Sequence, residues 1–337
     1  MVKKFGVIAV FLGVFVLVLA ALSKFYMYDR LAVVPLNQDA TSTSQTAEGA
    51  DAEYLDAAAG LVVVKGPLKN VKVVRGDIDA SKKASKDLGK DIAVWDIYDT
   101  TDKPTFDFGG GESPLTGTDD RVAFDRNTGL AVSWEDTKSE TDGDVIKPGD
   151  FKGLYFKFPF DAKKKTYPFW DSTLRKATDA KFVGEGTVKG MKVYKYRQST
   201  EPIKTGTIDV PGSLVGSAEG TVTADQIYSA VSDYSVDPAT GVILVGQTAQ
   251  DNYLELDGER VLTTTKATLG YTDANIQDTV DEYKTTSKLL SAVHTGFPIG
   301  GIIVGVILIA VGVLLRVRGG KSPGTRKADE REPVGAL

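Results

Sequence analysis

The sequence has no cysteine in its 337 residues and only one histidine, His294. No disulfide can staple it, and neither a thiol nucleophile nor a cysteine metal site can be built. A serine triad needs a histidine base and a His/Cys zinc site needs several ligands. His294 lies beside a long apolar run and reads as an interfacial or helix-end residue. No Walker-type loop is present, because Gly109-Gly110-Gly111-Glu112 lacks the Lys-Ser/Thr that would hold a phosphate. The carboxylates around it, Asp99, Asp102, Asp107 and Glu112, do not have EF-hand spacing. They leave a solvated acidic loop or an irregular calcium loop as the two readings. No metal and no cofactor is expected. Asp and Glu are abundant, so a two-carboxylate glycosidase stays open, but no pair stands out by context.

What is present begins with two long uncharged runs. Phe297 to Leu315 is followed by Arg316, Arg318, Lys321, Arg326, Lys327 and Arg331. As a helix it matches the roughly 30 Å hydrocarbon core of a bilayer, and the basic flank marks a cytoplasmic end. Phe5 to Leu22 is preceded by Lys3 and Lys4 and followed by Phe25, Tyr26 and Tyr28, where an aromatic belt would sit. A cleaved signal peptide competes with an anchor here. The run is long for a signal, and Ala20-Ala21-Leu22-Ser23 is a poor cleavage site, which favours the anchor. The expected layout is a cytoplasmic start at 1–4, a transmembrane helix at 5–22 and an extracytoplasmic β-rich domain at 23–271. A juxtamembrane helix at 272–296, a transmembrane helix at 297–315 and a basic, disordered cytoplasmic tail at 316–337 follow. Acidic residues outnumber basic ones in the loop between the spans, which argues against nucleic acid as a partner.

Within the loop, strand signals dominate. Leu61 to Val64 and Val71 to Val74 flank the turn residues Lys65-Gly66-Pro67, and Ile92 to Tyr98 reads as another strand. Asn37 to Glu53 is small and polar and reads as a linker or exposed loop. Arg121 to Trp134 predicts a hairpin turning at Asp125-Arg126-Asn127-Thr128-Gly129. A related D-x-x-T-G turn recurs at Asp237 to Gly241, through duplication or through convergent turn chemistry. Phe182 to Tyr196 turns at Lys189-Gly190, with Gly184 and Gly186 on one face, and Leu256-Asp257-Gly258-Glu259 is a two-residue hairpin signal. Asp273 to His294 carries a helical apolar face, capped by Thr272 or Asp273. The fold expected is mainly β: an antiparallel elongated barrel or closed sandwich with one long C-terminal helix, flanked by two transmembrane helices.

The densest stretch is aromatic. Eight of the twenty residues from Phe151 to Trp170 are aromatic, against 9% for the whole chain. Leu154, Phe156, Phe158 and Phe160 alternate with Tyr155, Lys157 and Pro159, the period of a strand with one apolar face. Lys163-Lys164-Lys165 follows as a turn, and Tyr167, Phe169 and Trp170 start a second apolar segment. Two readings stand: a packed β core, or the wall of an apolar, ligand-holding cavity.

RVAFDRNTGLAVSW, GLYFKFPFDAKKKTYPFWD, SVDPATGVILV and the two-span layout resemble an actinobacterial membrane-protein family labelled porin PorA-like. Some of its members are linked to lipomannan and lipoarabinomannan maturation. The resemblance implies an extracytoplasmic, elongated barrel-like domain that binds lipid or lipoglycan, with no catalytic residues to carry over. The function expected is therefore membrane-anchored binding of a lipid or lipid-linked glycan in envelope assembly, without enzymatic activity. A scaffold for envelope biosynthesis enzymes is the alternative, and a carboxylate-dependent glycosidase the second. The porin label conflicts with the sequence, since a porin spans lipid with strands.

Overall fold

The computed structural model describes residues 2–56, 59–108, 113–141 and 143–318. The Gly109 to Glu112 stretch and the basic tail beyond Arg318 lie outside the described residues. In chain order the elements begin with α1 (Val2–Leu22), α2 (Tyr28–Leu31), β1 (Asp39–Gln45), β2 (Ala52–Asp56), β3 (Val62–Gly66) and β4 (Lys69–Gly76). Then come α3 (Ile78–Leu88), β5 (Ile92–Asp102), β6 (Thr116–Asp125), β7 (Lys138–Thr141) and β8 (Asp144–Ile146). The second half holds β9 (Tyr167–Asp171), β10 (Lys176–Val188), β11 (Met191–Pro211), β12 (Thr221–Val236), β13 (Ile243–Leu256) and β14 (Glu259–Tyr271). It ends with α4 (Asp273–Ser291) and α5 (Phe297–Arg318). The chain divides into two units, residues 1–31 with 291–337, and residues 32–290.

In the first unit, α1 and α5 run antiparallel with glycines facing. A Cβ on Gly13 would lie 2.7 Å from the Gly305 carbonyl, and one on Gly6 2.7 Å from that of Gly312. Small residues here let the two backbones touch, the way helices associate where apolar burial gives no advantage. The Ser23 hydroxyl donates to the Val293 carbonyl (2.9 Å). The remaining surface is apolar and exposed, with Phe11 at 71%. Both helical stretches, Lys4–Leu31 and Asp273–Arg318, are long and apolar enough to cross a membrane. The first stays helical to Leu31 rather than stopping at Leu22, through a π-helical turn at Ser23–Met27.

Among the described residues, the second unit is built on a single curled antiparallel sheet of fourteen strands. It consists of two meanders, β4 to β8 and β9 to β14, each built from sequence neighbours. The hairpin signals are where they were expected: Lys189-Gly190 and Asp257-Gly258 all have positive φ. A register shift at Gly184 bends β10. β1 joins the meanders, pairing with β4 along its whole length and with β14 at Ser44↔Tyr271. This corrects the reading of Asn37 to Glu53 as a linker. β1 is Asp-Ala-Thr-Ser-Thr-Ser-Gln; its backbone completes two ladders although it has no apolar face. β3 pairs with β2, not with β4 across Lys65-Gly66-Pro67. α3 was not anticipated, although its caps are readable. The Asp77 side chain accepts from the Asp79 and Ala80 amides, and Gly89 closes the helix at φ 63°. Its Ala84 packs on Ile92, Val94 and Ala123, covering the outer face of β5 and β6.

The main correction concerns Leu154 to Phe160. It is not a strand with one apolar face but an irregular segment inside the curl. Gly153 at φ 73° and Pro159 break any regular ladder. Its backbone is instead stitched to both meanders. Single bridges link Phe124 to Ala131, Leu130 to Leu154, and Leu154 to Phe169. At that one level the curled sheet is closed through Leu154; the end strands β8 and β9 are not otherwise paired among the described residues. Further on, the Phe158 amide donates to the Gly241 carbonyl (2.8 Å) and the Ala162 amide to that of Pro238 (2.8 Å).

Both D-x-x-T-G turns grip this segment. In each, the aspartate side chain accepts from the threonine amide and hydroxyl, and the glycine amide donates to the aspartate carbonyl at 2.9 and 2.8 Å. Both glycines have φ 75°. At Gly241 a Cβ would lie 2.0 Å from the Phe158 carbonyl oxygen. Gly241→Ala is therefore expected to cost at least about 2 kcal/mol, against about 1 kcal/mol for Gly190→Ala. Gly190 shares the positive φ but has nothing within 4 Å. Thermal unfolding of both variants measures the difference.

Candidate functional site

The seven sequence-predicted site residues divide among three packed clusters. Leu154, Phe158, Tyr167 and Phe169 sit together with Tyr196 and Val236. Phe158 is fully buried, 4.4 Å from the Tyr196 ring and 5.3 Å from Phe169. Phe156 and Phe160 pack on Trp95, Phe124 and Val34. Trp170 packs on Phe151 and Val122. Of the two readings, the packed core describes these contacts: the aromatic side chains fill the closed level of the sheet.

Polar groups enter this interior at defined points. Asp120 is fully buried and accepts from the Tyr155 hydroxyl (2.6 Å); burial raises its pKa against the pull of that bond. Asp171 accepts from Tyr228 (3.1 Å) and from the Thr173 and Leu174 amides, and burial raises it likewise. On β4, burial works against the charge of Lys72. The Asp99 carboxylate 2.8 Å away, together with Tyr271 and Tyr234, outweighs it and raises the pKa. Lys72 also interacts electrostatically with Tyr234 of β12, four strands away along the sheet, which the curl makes possible.

Lys157 is the exception. It is 9% exposed, its Nζ lies 3.5 Å from the Phe160 ring centroid, and it has no hydrogen-bond partner. Burial lowers its pKa to about 7, with Asp237 pulling the other way. The cost of the buried charge is complete below pH 7. It fades as pH rises from there toward the ordinary lysine value, where the unfolded chain also loses its proton. Lys157→Met is expected to stabilise the protein by about 1–3 kcal/mol at pH 6 and by much less at pH 10. Denaturant melts at the two pH values check this.

An open groove of about 560 Å³ lies elsewhere on the sheet, where β11 to β14 run side by side under the segment from Thr46 to Glu53. Its lining mixes short polar side chains, among them Ser199, Thr200, Ser229 and Gln250, with the carboxylates of Glu201 and Asp251 and with the small apolar residues Pro202, Ala230, Val231, Ala249 and Ala267. None of the seven candidates lines it. Alternating small and polar residues look like any half-exposed strand, so little in them marks a groove. The one readable signal is Glu201-Pro202 inside a long strand pattern, where proline cannot donate to a ladder. The lining offers many hydrogen-bonding groups but no nucleophile–base pair, and no metal-holding cluster exists among the described residues.

The outer face of the sheet is charged. Arg197 pairs with Asp233 (2.7 Å), Lys204 with Asp225 (2.7 Å) and Lys192 with Glu185 (2.8 Å), all with exposed side chains. A strand facing hydrocarbon does not carry such a surface. The apolar helices, not these strands, suit a bilayer.

The family model described as Porin PorA matches residues 5–314. A Porin PorA of Corynebacterium amycolatum is 30% identical over 159 residues, covering 38% of this chain and 41% of the relative. A Porin PorA of Corynebacterium resistens is 29% identical over 98 residues, covering 27% and 24%. The chain thus aligns with less than half the length of either relative. The match to the family model, from the first apolar helix through the sheet to the last, makes this chain a member of the Porin PorA family.

Proposed function

We propose that this membrane protein is a non-enzymatic binder of a lipid-linked glycan, supporting cell-envelope assembly or transfer, with its apolar helices as anchor. The observation that carries the reading is the lining of the groove: hydroxyl, amide and carboxylate groups around a floor of small residues. Hydroxyls and amides donate and accept, as a sugar requires. An acyl chain needs large apolar walls, which this groove lacks, so the glycan is the part assigned to it. The name of the relatives suggests a pore. The charged outer face of the sheet speaks against strands that cross lipid, and the anchored binder fits it better. The orientation we propose has both termini cytoplasmic and the sheet outside, from the basic flanks of the two apolar runs.

Mass spectrometry of the full chain, purified in mild detergent from cells with a glycolipid-rich envelope, tests this. A co-purifying glycan-bearing lipid is expected, and Ala249→Trp, which fills the groove from an exposed position, is expected to deplete it at least about tenfold. Glycolipid retained at full level by Ala249→Trp sinks the assignment. A stable cross-linked envelope enzyme with no bound glycolipid favours the scaffold instead.

A further inference from the structure

The groove lies where three neighbouring ladders lose their regular pairing at one level. Between β11 and β12 the pairing jumps from Thr200↔Ala230 to Ile203↔Tyr228, leaving Glu201 and Pro202 bulged. Between β12 and β13 it lapses from Ala230↔Gln250 to Ile227↔Tyr253. Between β13 and β14 it jumps from Asn252↔Thr265 to Tyr253↔Thr263. Bulges on both sides of the β12–β13 pair thus flank a gap in its ladder, where the register is kept and the Ser229 hydroxyl donates to the Asp251 carbonyl (3.0 Å). At this level the Asn252 side-chain oxygen is buried with no hydrogen-bond partner. Sheets keep such faults where something else uses the backbone.

The charged groups on the rim are mostly acceptors. Asp51, Glu53, Glu201 and Asp251 line the groove beside one basic residue, Lys266, while Lys65 and Arg260 stand just outside it and Lys65 also acts on Asp51. Glu53 is paired with Lys65 (2.8 Å) and Asp251 with Arg260 (2.7 Å). Asp51 and Glu201 make no hydrogen bond or ion pair among the described residues. A ligand that satisfies this rim must bring donors, and a ligand with its own negative charge meets repulsion.

We propose that the aligned ladder break, rimmed by Asp51 and Glu201, is a subsite for an uncharged, hydroxyl-rich stretch of glycan, and that these two carboxylates select against anionic glycans. The proposal rests on the glycan-binding reading above and adds its charge class. Sugar hydroxyls donate to the carboxylates, and each such bond is charge-assisted. Phosphorylated or uronate-bearing segments have fewer donors to offer and bring like charge.

Calorimetric titration of the full chain in neutral detergent tests this, using a neutral hexose oligosaccharide and a uronate oligosaccharide of the same length. At low salt the neutral chain is expected to bind at least about tenfold more tightly, the gap narrowing by about 0.15 M salt. In the Asp51→Asn, Glu201→Gln double variant the gap is expected to fall to about threefold, because the shapes remain and only the charges go. Equal binding of the two sugars, a preference for the uronate, or an unchanged gap in the double variant overturns the charge selection and leaves the glycan reading standing. Failure of the unmodified chain to bind either sugar overturns both.

Discussion

A backbone contact governs this structure. The segment from Gly153 to Ala162 belongs to no regular strand, yet its amides and carbonyls tie Ala131, Pro168, Trp170, Pro238, Ala239 and Gly241 together. β1 performs the same service on the opposite side, between β4 and β14. The meanders are local structures that hairpins specify well. What makes them one curled object is a pair of clasps, neither of which has a regular apolar pattern. The irregular clasp tolerates no side chain at residue 241, because that carbon would occupy the place of a carbonyl oxygen.

Aromatic side chains follow from that constraint. A segment enclosed on all sides must bury every face, so alternation along it has no solvent side to mark. Rings fill the space with few rotatable bonds, and they meet edge-on or offset, as Phe158 does against Tyr167 and Phe169. Lys157 is the cost of the arrangement, an amine carried inside with a ring face against it, no hydrogen bond, and the charge of Asp237 acting on it. Beyond the closed level the interior turns polar, and the groove lies among short side chains on strands that the clasps hold in place. The packed level and the groove share β11 and β12 and lie apart along them.

Much of this was legible in the residues. Asp257-Gly258 and Lys189-Gly190 announce hairpins because few other residues accept positive φ. The two apolar helices announce themselves by length and lack of charge, and Thr272 caps α4 through the Asn275 amide as its position suggested. α3 was overlooked between strands although Asp77 and Gly89 bracket it. β1 was illegible for a physical reason: its contribution is backbone pairing, which Ser and Thr supply as well as Val does. The aromatic segment misled in the opposite direction. A period of two there reflects contact with different neighbours in turn, not a strand with an inside and an outside. The groove left almost no trace, because ladder irregularities depend on register across strands far apart in sequence.

The position of β1 also bears on how the chain reaches this state. Its partner at Tyr271 comes more than two hundred residues after Ser44, whereas β9 to β14 pair with near neighbours. Contacts so distant along the chain must overcome a large closure entropy before they contribute, and they form late. As the chain is made the second meander can assemble alone, while the strand that emerged first waits unpaired for the one that emerges last. Pulsed hydrogen exchange during refolding would detect that wait as delayed protection of Asp39 to Gln45, and early protection there would refute it.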